Sequence, residues 1–285
     1  MTENKNNPLR QYFRRPAVFI SLPSGGEGYG PDDIEFEDEN NLELPVYPMT
    51  AIDEITTKTP DALFNGTATV EIIKSCIPAI LDPWQIPATD VDFILVAIRI
   101  ASYGNDMELE FKCSECEEEF NYAVTLNHYI DHLSQASMSV ESNILKYGEV
   151  KVHIKPLSYK DLSLIQRRTF EEQRAIEAVG TMEDKSEEEL KEIYNEILNT
   201  MTEININSIS SGIKGIELPD GTMVTDKDEI IGFVNNASVK LFKKITNTIQ
   251  EIKDKTALEP LHIECPKCSH AFDSPMIFDY ANFFA

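Results

Sequence analysis

The sequence predicts an α+β fold: a small β element built from two distant Cys-x-x-Cys turns, a largely helical insertion between them, and an extended N-terminal arm. Three observations predict it. Cys113 with Cys116, and Cys265 with Cys268, each sit between runs whose apolar residues alternate, as in strand-turn-strand. Much of the rest, from residue 49 on, repeats its apolar residues at i, i+3, i+4 and i+7, as amphipathic helices do. Residues 1–47 instead carry Pro8, Pro16, Pro23, Pro31 and Pro45 with Gly25, Gly26, Gly28 and Gly30, which interrupt both periods. The implied division is an arm over 1–47, a helical segment over 48–106, the two halves of the β element at 107–126 and 260–280, and a mainly helical insertion with hairpins over 127–259.

Within the arm, 32–43 is strongly acidic, whereas Tyr12, Phe13, Val18, Phe19, Ile20 and Leu22 are too apolar for a solvated tail. The arm is therefore expected to order only against a partner. Arg10, Arg14 and Arg15 make its start basic and read as a solvated end. Thr50 and then Thr59-Pro60 are helix starts, a capping hydroxyl followed in the second case by proline at the first helical position. Val70, Ile73 and Ile77 repeat at helical spacing before Pro78. Asp90 is the expected cap of the next helix, where Val91, Ile94, Leu95 and Ile98 fall on one side and other faces are apolar too. That helix is expected at the centre of the core, ending at Gly104.

Met107, Leu109 and Phe111 alternate with charged residues before the first cysteine turn, and Phe120, Tyr122, Val124 and Leu126 alternate after it. A second hairpin is expected around Tyr147-Gly148-Glu149, with His153 on its second strand in a structural role. A long helix starts near Ser158, with Ser158 or Asp161 as its cap and Leu162, Ile165, Ile176 and Val179 on its buried side. Ser186 with Glu189 has the form of a capping box ahead of Leu190, Ile193, Ile197 and Met201. Pro219-Asp220-Gly221 forms a tight turn, and Asp226 opens another helix. Leu241, Ile245, Ile249 and Ile252 form a stripe that reads as core rather than as a seam for a partner helix. Leu261 and Ile263, then Phe272, Ile277 and Phe278, repeat the strand-turn-strand pattern.

Forty-nine Asp and Glu against twenty-five Lys and Arg give a net charge of −24. Such a surface repels nucleic acid and anionic membrane and suits protein partners. No apolar run approaches the ~20 residues of a membrane helix. Residues 1–20 lack a signal-peptide core, so the chain is expected to stay in the reducing compartment where it is made, without a disulfide framework. The cysteines then need another explanation, and zinc supplies one. It takes four ligands at the corners of a tetrahedron and favours soft thiolates. A Cys-x-x-Cys turn offers two from one loop, so Cys113, Cys116, Cys265 and Cys268 make a four-cysteine site of zinc-ribbon type. The intervening 117–264 is far longer than the ~15–20 residues of common zinc motifs, which makes the helical domain an insertion. The alternatives are separate sites completed by His262 and His270 or by His128 and His132, a redox pair, and an iron–sulfur centre. A closed four-cysteine site leaves no position for water, so no metal catalysis is expected, and no other nucleophile or phosphate-binding motif is present. Cys76 reads as a buried packing residue. A zinc-ribbon nucleic-acid binder is the second reading, and the Glu115, Glu117, Glu118 and Glu119 run counts against it. A zinc hydrolase is the third, opposed by the closed ligand set.

Several stretches together resemble a family. Phe19-Ile-Ser-Leu-Pro-Ser-Gly-Gly, Val46-Tyr-Pro-Met-Thr-Ala-Ile-Asp-Glu-Ile, the run from Thr59 to Gly66, Ala97-Ile-Arg-Ile-Ala-Ser-Tyr-Gly104 and the ending Asn282-Phe-Phe-Ala285 are similar to the baseplate hub and hub-assembly proteins of T4-type contractile-tailed phages. The resemblance implies a non-enzymatic protein, either a structural component of the virion or an assembly chaperone. Its partners would be other tail or baseplate proteins or a further copy of itself. It would work in the host cytoplasm during assembly and, if retained, in the tail baseplate. The resemblance supplies no catalytic residues.

Overall fold

The computed structural model describes residues 8–26, 28–36, 42–58, 66–135, 143–179, 186–255, 260–274 and 283–284. Its helices and small antiparallel sheets make an α+β chain. Among the described residues of the N-terminal region, Ile20, Leu22, Leu44 and Val46 belong to the core, which corrects the expectation of an arm that orders only against a partner. Strand β1 (Val18–Ser21) pairs antiparallel with β2 (Glu43–Val46), and their alternation puts Ile20, Leu44 and Val46 on a buried face. Arg14 is no solvated end either. Its guanidinium donates to the carbonyls of Pro48 and Ser75, each at 2.7 Å, and pairs with Asp53 at 3.5 Å.

Thr50 caps α1 (Ala51–Thr57), the helix start its sequence predicts, and forms a capping box with Asp53. Thr59 and Pro60 lie outside the described residues. Helix α2 (Thr67–Cys76) ends before Pro78, and Cys76 is fully buried. Helix α3 (Ala88–Tyr103) is the centre of the first core, with every residue from Phe93 to Ile98 inaccessible to solvent. Its cap is Pro87, not Asp90. Pro87 has already set the entry, so Asp90 falls inside the first turn and points inward. Gly104, at φ 90°, supplies the left-handed exit.

A hairpin flanks this core. β3 (Asp106–Lys112) pairs with β4 (Glu119–Thr125), and α4 (Asn127–Gln135) returns Tyr129 to the same core. Helix α4 packs with α3 and belongs to the first core. β5 (Ile144–Tyr147) and β6 (Val150–Ile154) meet at Gly148-Glu149.

Helix α5 (Tyr159–Val179) takes Ser158 as its cap, through the Asp161 N–H at 3.1 Å. Helix α6 (Glu187–Ser211) opens with the expected Ser186–Glu189 box. The two form an antiparallel hairpin, and toward its far end Ile176 is exposed, against expectation. β7 (Ile213–Glu217) and β8 (Met223–Val224) extend the β5–β6 hairpin into a four-stranded sheet of order β5-β6-β7-β8. Helices α7 (Lys227–Asn235), capped by Asp226, and α8 (Val239–Lys255) cover it. Leu241, Ile245 and Ile252 are buried there, with Val152 and Ile216, in a second core distinct from the first. The chain then returns to the first region through β9 (Leu261–Glu264) and β10 (Ala271–Ser274), with Phe283 and Phe284 buried against α3. Ile277 and Phe278 lie outside the described residues. No helix among the described residues is long and apolar enough to cross a membrane.

Candidate metal centre

Each cysteine pair sits at the tip of a hairpin, and the two tips are built alike. In the first, the Cys113 N–H donates to the Glu118 carbonyl at 2.9 Å and the Glu117 N–H to the Cys113 carbonyl at 3.0 Å. In the second, the Cys265 N–H donates to the His270 carbonyl and the Ser269 N–H to the Cys265 carbonyl, both at 2.9 Å. Glu117 and Ser269, each following the second cysteine, share a left-handed φ of 57°. That conformation is costly for a residue with a Cβ, and its presence at equivalent positions shows that both loops are bent the same way.

The bend turns the thiols toward one another. Cys113 Sγ lies 3.7 Å from Cys268 Sγ, Cys116 Sγ lies 3.7 Å from Cys265 Sγ, and all four sulfurs fall within 4.8 Å. These are not disulfides, whose sulfurs approach to about 2.05 Å. A tetrahedron of thiolates at the usual zinc–sulfur length of ~2.3 Å has its sulfurs about 3.8 Å apart, so the donor set fits such an ion in number, chemistry and spacing. Burial pushes the Cys265 thiol up, but the N–H groups of Cys268 and Lys267 together with the Cys268 and Cys116 thiols bring it down to about 7. The His270 N–H favours the Cys268 thiolate, yet the neighbouring sulfurs and burial hold it up at about 12. Four thiols this close cannot all ionise without a cation among them.

The surroundings hold the two tips together. Ile263 and Cys265 are buried, and the Tyr122 hydroxyl donates to the His262 carbonyl at 3.2 Å. Lys267 Nζ reaches Glu118 across the tips at 2.6 Å. Phe111 meets Phe120 and Tyr122 on one hairpin, and His270 stacks on Phe272 on the other.

Among the described residues the cluster contains the four cysteines and no histidine. His262 pairs with Asp273 on an exposed edge, and the ring of His128 lies edge-on against Tyr129. The side chain of His132 lies outside the described residues. His153 is engaged with Glu217 at 3.1 Å on β6. Buried Cys76 is pushed up to about 12 by burial and by Asp53, which suits packing rather than chemistry. What the residue pattern did not reveal is buried Asp90, held by three donors from the glycine-rich loop.

No curated protein and no solved structure matches the chain. One family model does, over residues 47–285, a range that includes both cysteine pairs. The chain belongs to the T4 bacteriophage base plate protein family.

Proposed function

We propose that this protein is a non-enzymatic hub subunit or hub-assembly factor of the phage baseplate, acting through protein–protein contacts and fastened by one structural zinc ion at Cys113, Cys116, Cys265 and Cys268. The observation that carries the reading is the meeting of four thiols from two distant turns within a base plate protein's matched region. Zinc, when bound, supplies cross-linking. The residues supply a closed set of four soft donors, leaving no coordination position for water or substrate. The two tips with the ion between them form a zinc ribbon. Partners are other tail or baseplate proteins, met in the host cytoplasm during assembly and, if the protein is retained, in the virion. A nucleic-acid role is not favoured. Glu115, Glu117, Glu118 and Glu119 crowd the first tip, and Lys267 is committed to Glu118.

Two measurements test this reading. Elemental analysis of purified protein is expected to give one zinc per chain, lost in Cys265→Ser; substoichiometric metal with an intact fold overturns the metal assignment. Quantitative mass spectrometry of purified particles and of assembly intermediates tests the role. Stoichiometric presence in particles identifies a structural subunit, and presence in intermediates alone identifies an assembly factor. Absence from both overturns the hub reading.

A further inference from the structure

We propose that the outward side of α5 near its N-terminus is a docking groove for an acidic peptide segment carrying an apolar anchor, contributed by another protein. Lys160, Leu164, Arg167 and Arg168 fall at i, i+4, i+7 and i+8, so they share one stripe of the helix. To one side of it, Lys160, Leu164 and Arg167 line a groove of about 350 Å³ with Trp84. To the other, Leu164 and Arg168 line a pocket of about 200 Å³ with Lys227. Leu164 is the ridge between the two concavities, and it is exposed.

The charge of this surface is opposite to that of the chain. Four cations converge on it, although the protein as a whole carries −24. Its two carboxylates are already engaged. Asp82 accepts the Trp84 N–H at 3.2 Å, and Asp161 accepts the Ser158 hydroxyl at 2.8 Å and the Ser211 hydroxyl at 3.4 Å. Among the described residues, only Arg167 of the four cations has a carboxylate within ion-pair distance, Glu171 at 3.8 Å, one exposed turn away. Trp84 stacks on Tyr159 at 5.8 Å, which fixes its ring as a rigid wall. Tryptophan and arginine around an aliphatic ridge are the composition of an interface hot spot.

The chemistry of the occupant is set by complementarity. Carboxylates meet the cations while one aliphatic or aromatic side chain seats beside Leu164 and Trp84. A long polyphosphate meets the repulsion of the whole surface, and a second copy brings another −24. A short acidic segment feels chiefly the local field, within a Debye length of about 10 Å. The proposal depends on neither the hub assignment nor the metal.

Trp84 is the only tryptophan, so its fluorescence reports the groove directly. The full-length protein is titrated with a glutamate decapeptide bearing one central leucine, and in parallel with a lysine counterpart and a thymidine oligonucleotide. A saturable change with the acidic peptide alone is expected, weakened about tenfold between about 50 and about 300 mM salt. Lys160→Glu with Arg167→Glu is expected to weaken it at least about tenfold, and the milder Arg167→Gln about threefold, with melting temperatures unchanged. No saturable change, equal binding by the variants, or a stronger response to the oligonucleotide overturns the proposal.

Discussion

Asp90 is fully buried in the first turn of α3, where its carboxylate accepts the Ser24 N–H at 3.0 Å, the Ser24 hydroxyl at 2.6 Å and the Tyr29 hydroxyl at 3.0 Å. Burial raises its pKa to about 6, and the three donors offset only part of that. Tyr29, itself raised by burial, stays protonated throughout this range. The native state therefore holds a proton that the unfolded chain releases at ordinary carboxylate pH. The sign is opposite to that of a salt-bridged acid: stability from this group is full below about pH 4 and is lost as pH rises through about 6. A shift of about two units corresponds to about 3 kcal/mol. Asp90→Asn keeps an acceptor without the titration. Denaturant melts across this window are expected to show wild type losing about 2–3 kcal/mol relative to the variant as pH rises. A difference that does not change with pH removes the assignment.

The elements differ in how well they are covered, and their stabilities should differ accordingly. Residues 93–98 of α3 are sealed on every side, whereas no described side chain of α5 beyond Phe170 is buried. Hydrogen exchange is expected to show α3 amides opening only with global unfolding and α5 amides after 170 exchanging at least about a hundredfold faster. Equal protection would mean that the hairpin is covered in solution. The same contrast explains what could be read from the residues. Caps and turns are short-range chemistry, so Thr50, Ser186, Asp226 and Gly104 announce themselves. The cysteine tips do as well, since two identical donor spacings suggest one shared set of donors, and the four sulfurs do meet. Pairing at a distance leaves no such mark. Nothing in Val18–Ser21 names Glu43–Val46 as its partner, and Val152 pairs with Ile216 across two long helices. Asp90 misleads for a related reason: a carboxylate before an apolar run looks like a cap until the preceding proline is seen to begin the helix.

At the scale of the whole molecule, the chain leaves one core and returns to it. The first core takes residues from β1 to α4, then Tyr159, and finally Phe283 and Phe284. The second is built between β5 and α8. The return is carried by a hairpin of two four-residue strands, which is marginal by itself in water. On the proposed reading the ion makes up for this, tying Cys113 and Cys116 to partners 149 or more positions away. Closing an unstructured loop of more than a hundred residues is worth about 5 kcal/mol in chain entropy. The excursion has a core of its own, so its ends are already constrained and the effect should be smaller, about 2–4 kcal/mol. A strong chelator is therefore expected to lower the stability of the first core and its hairpins by that amount, and to do so unevenly. Amides of β9 and β10 should lose protection by about a hundredfold or more, those of β3 and β4 less, because Val124 and Leu126 still anchor that hairpin to the first core. Protection at Val152, Ile216 and Ile245 should not move, since none of the second core's packing passes through the sulfurs. Exchange measured with and without chelator, and on Cys265→Ser, checks this pattern. A uniform loss would mean that the metal holds the second core as well, and no loss would mean that the four thiols meet without needing an ion.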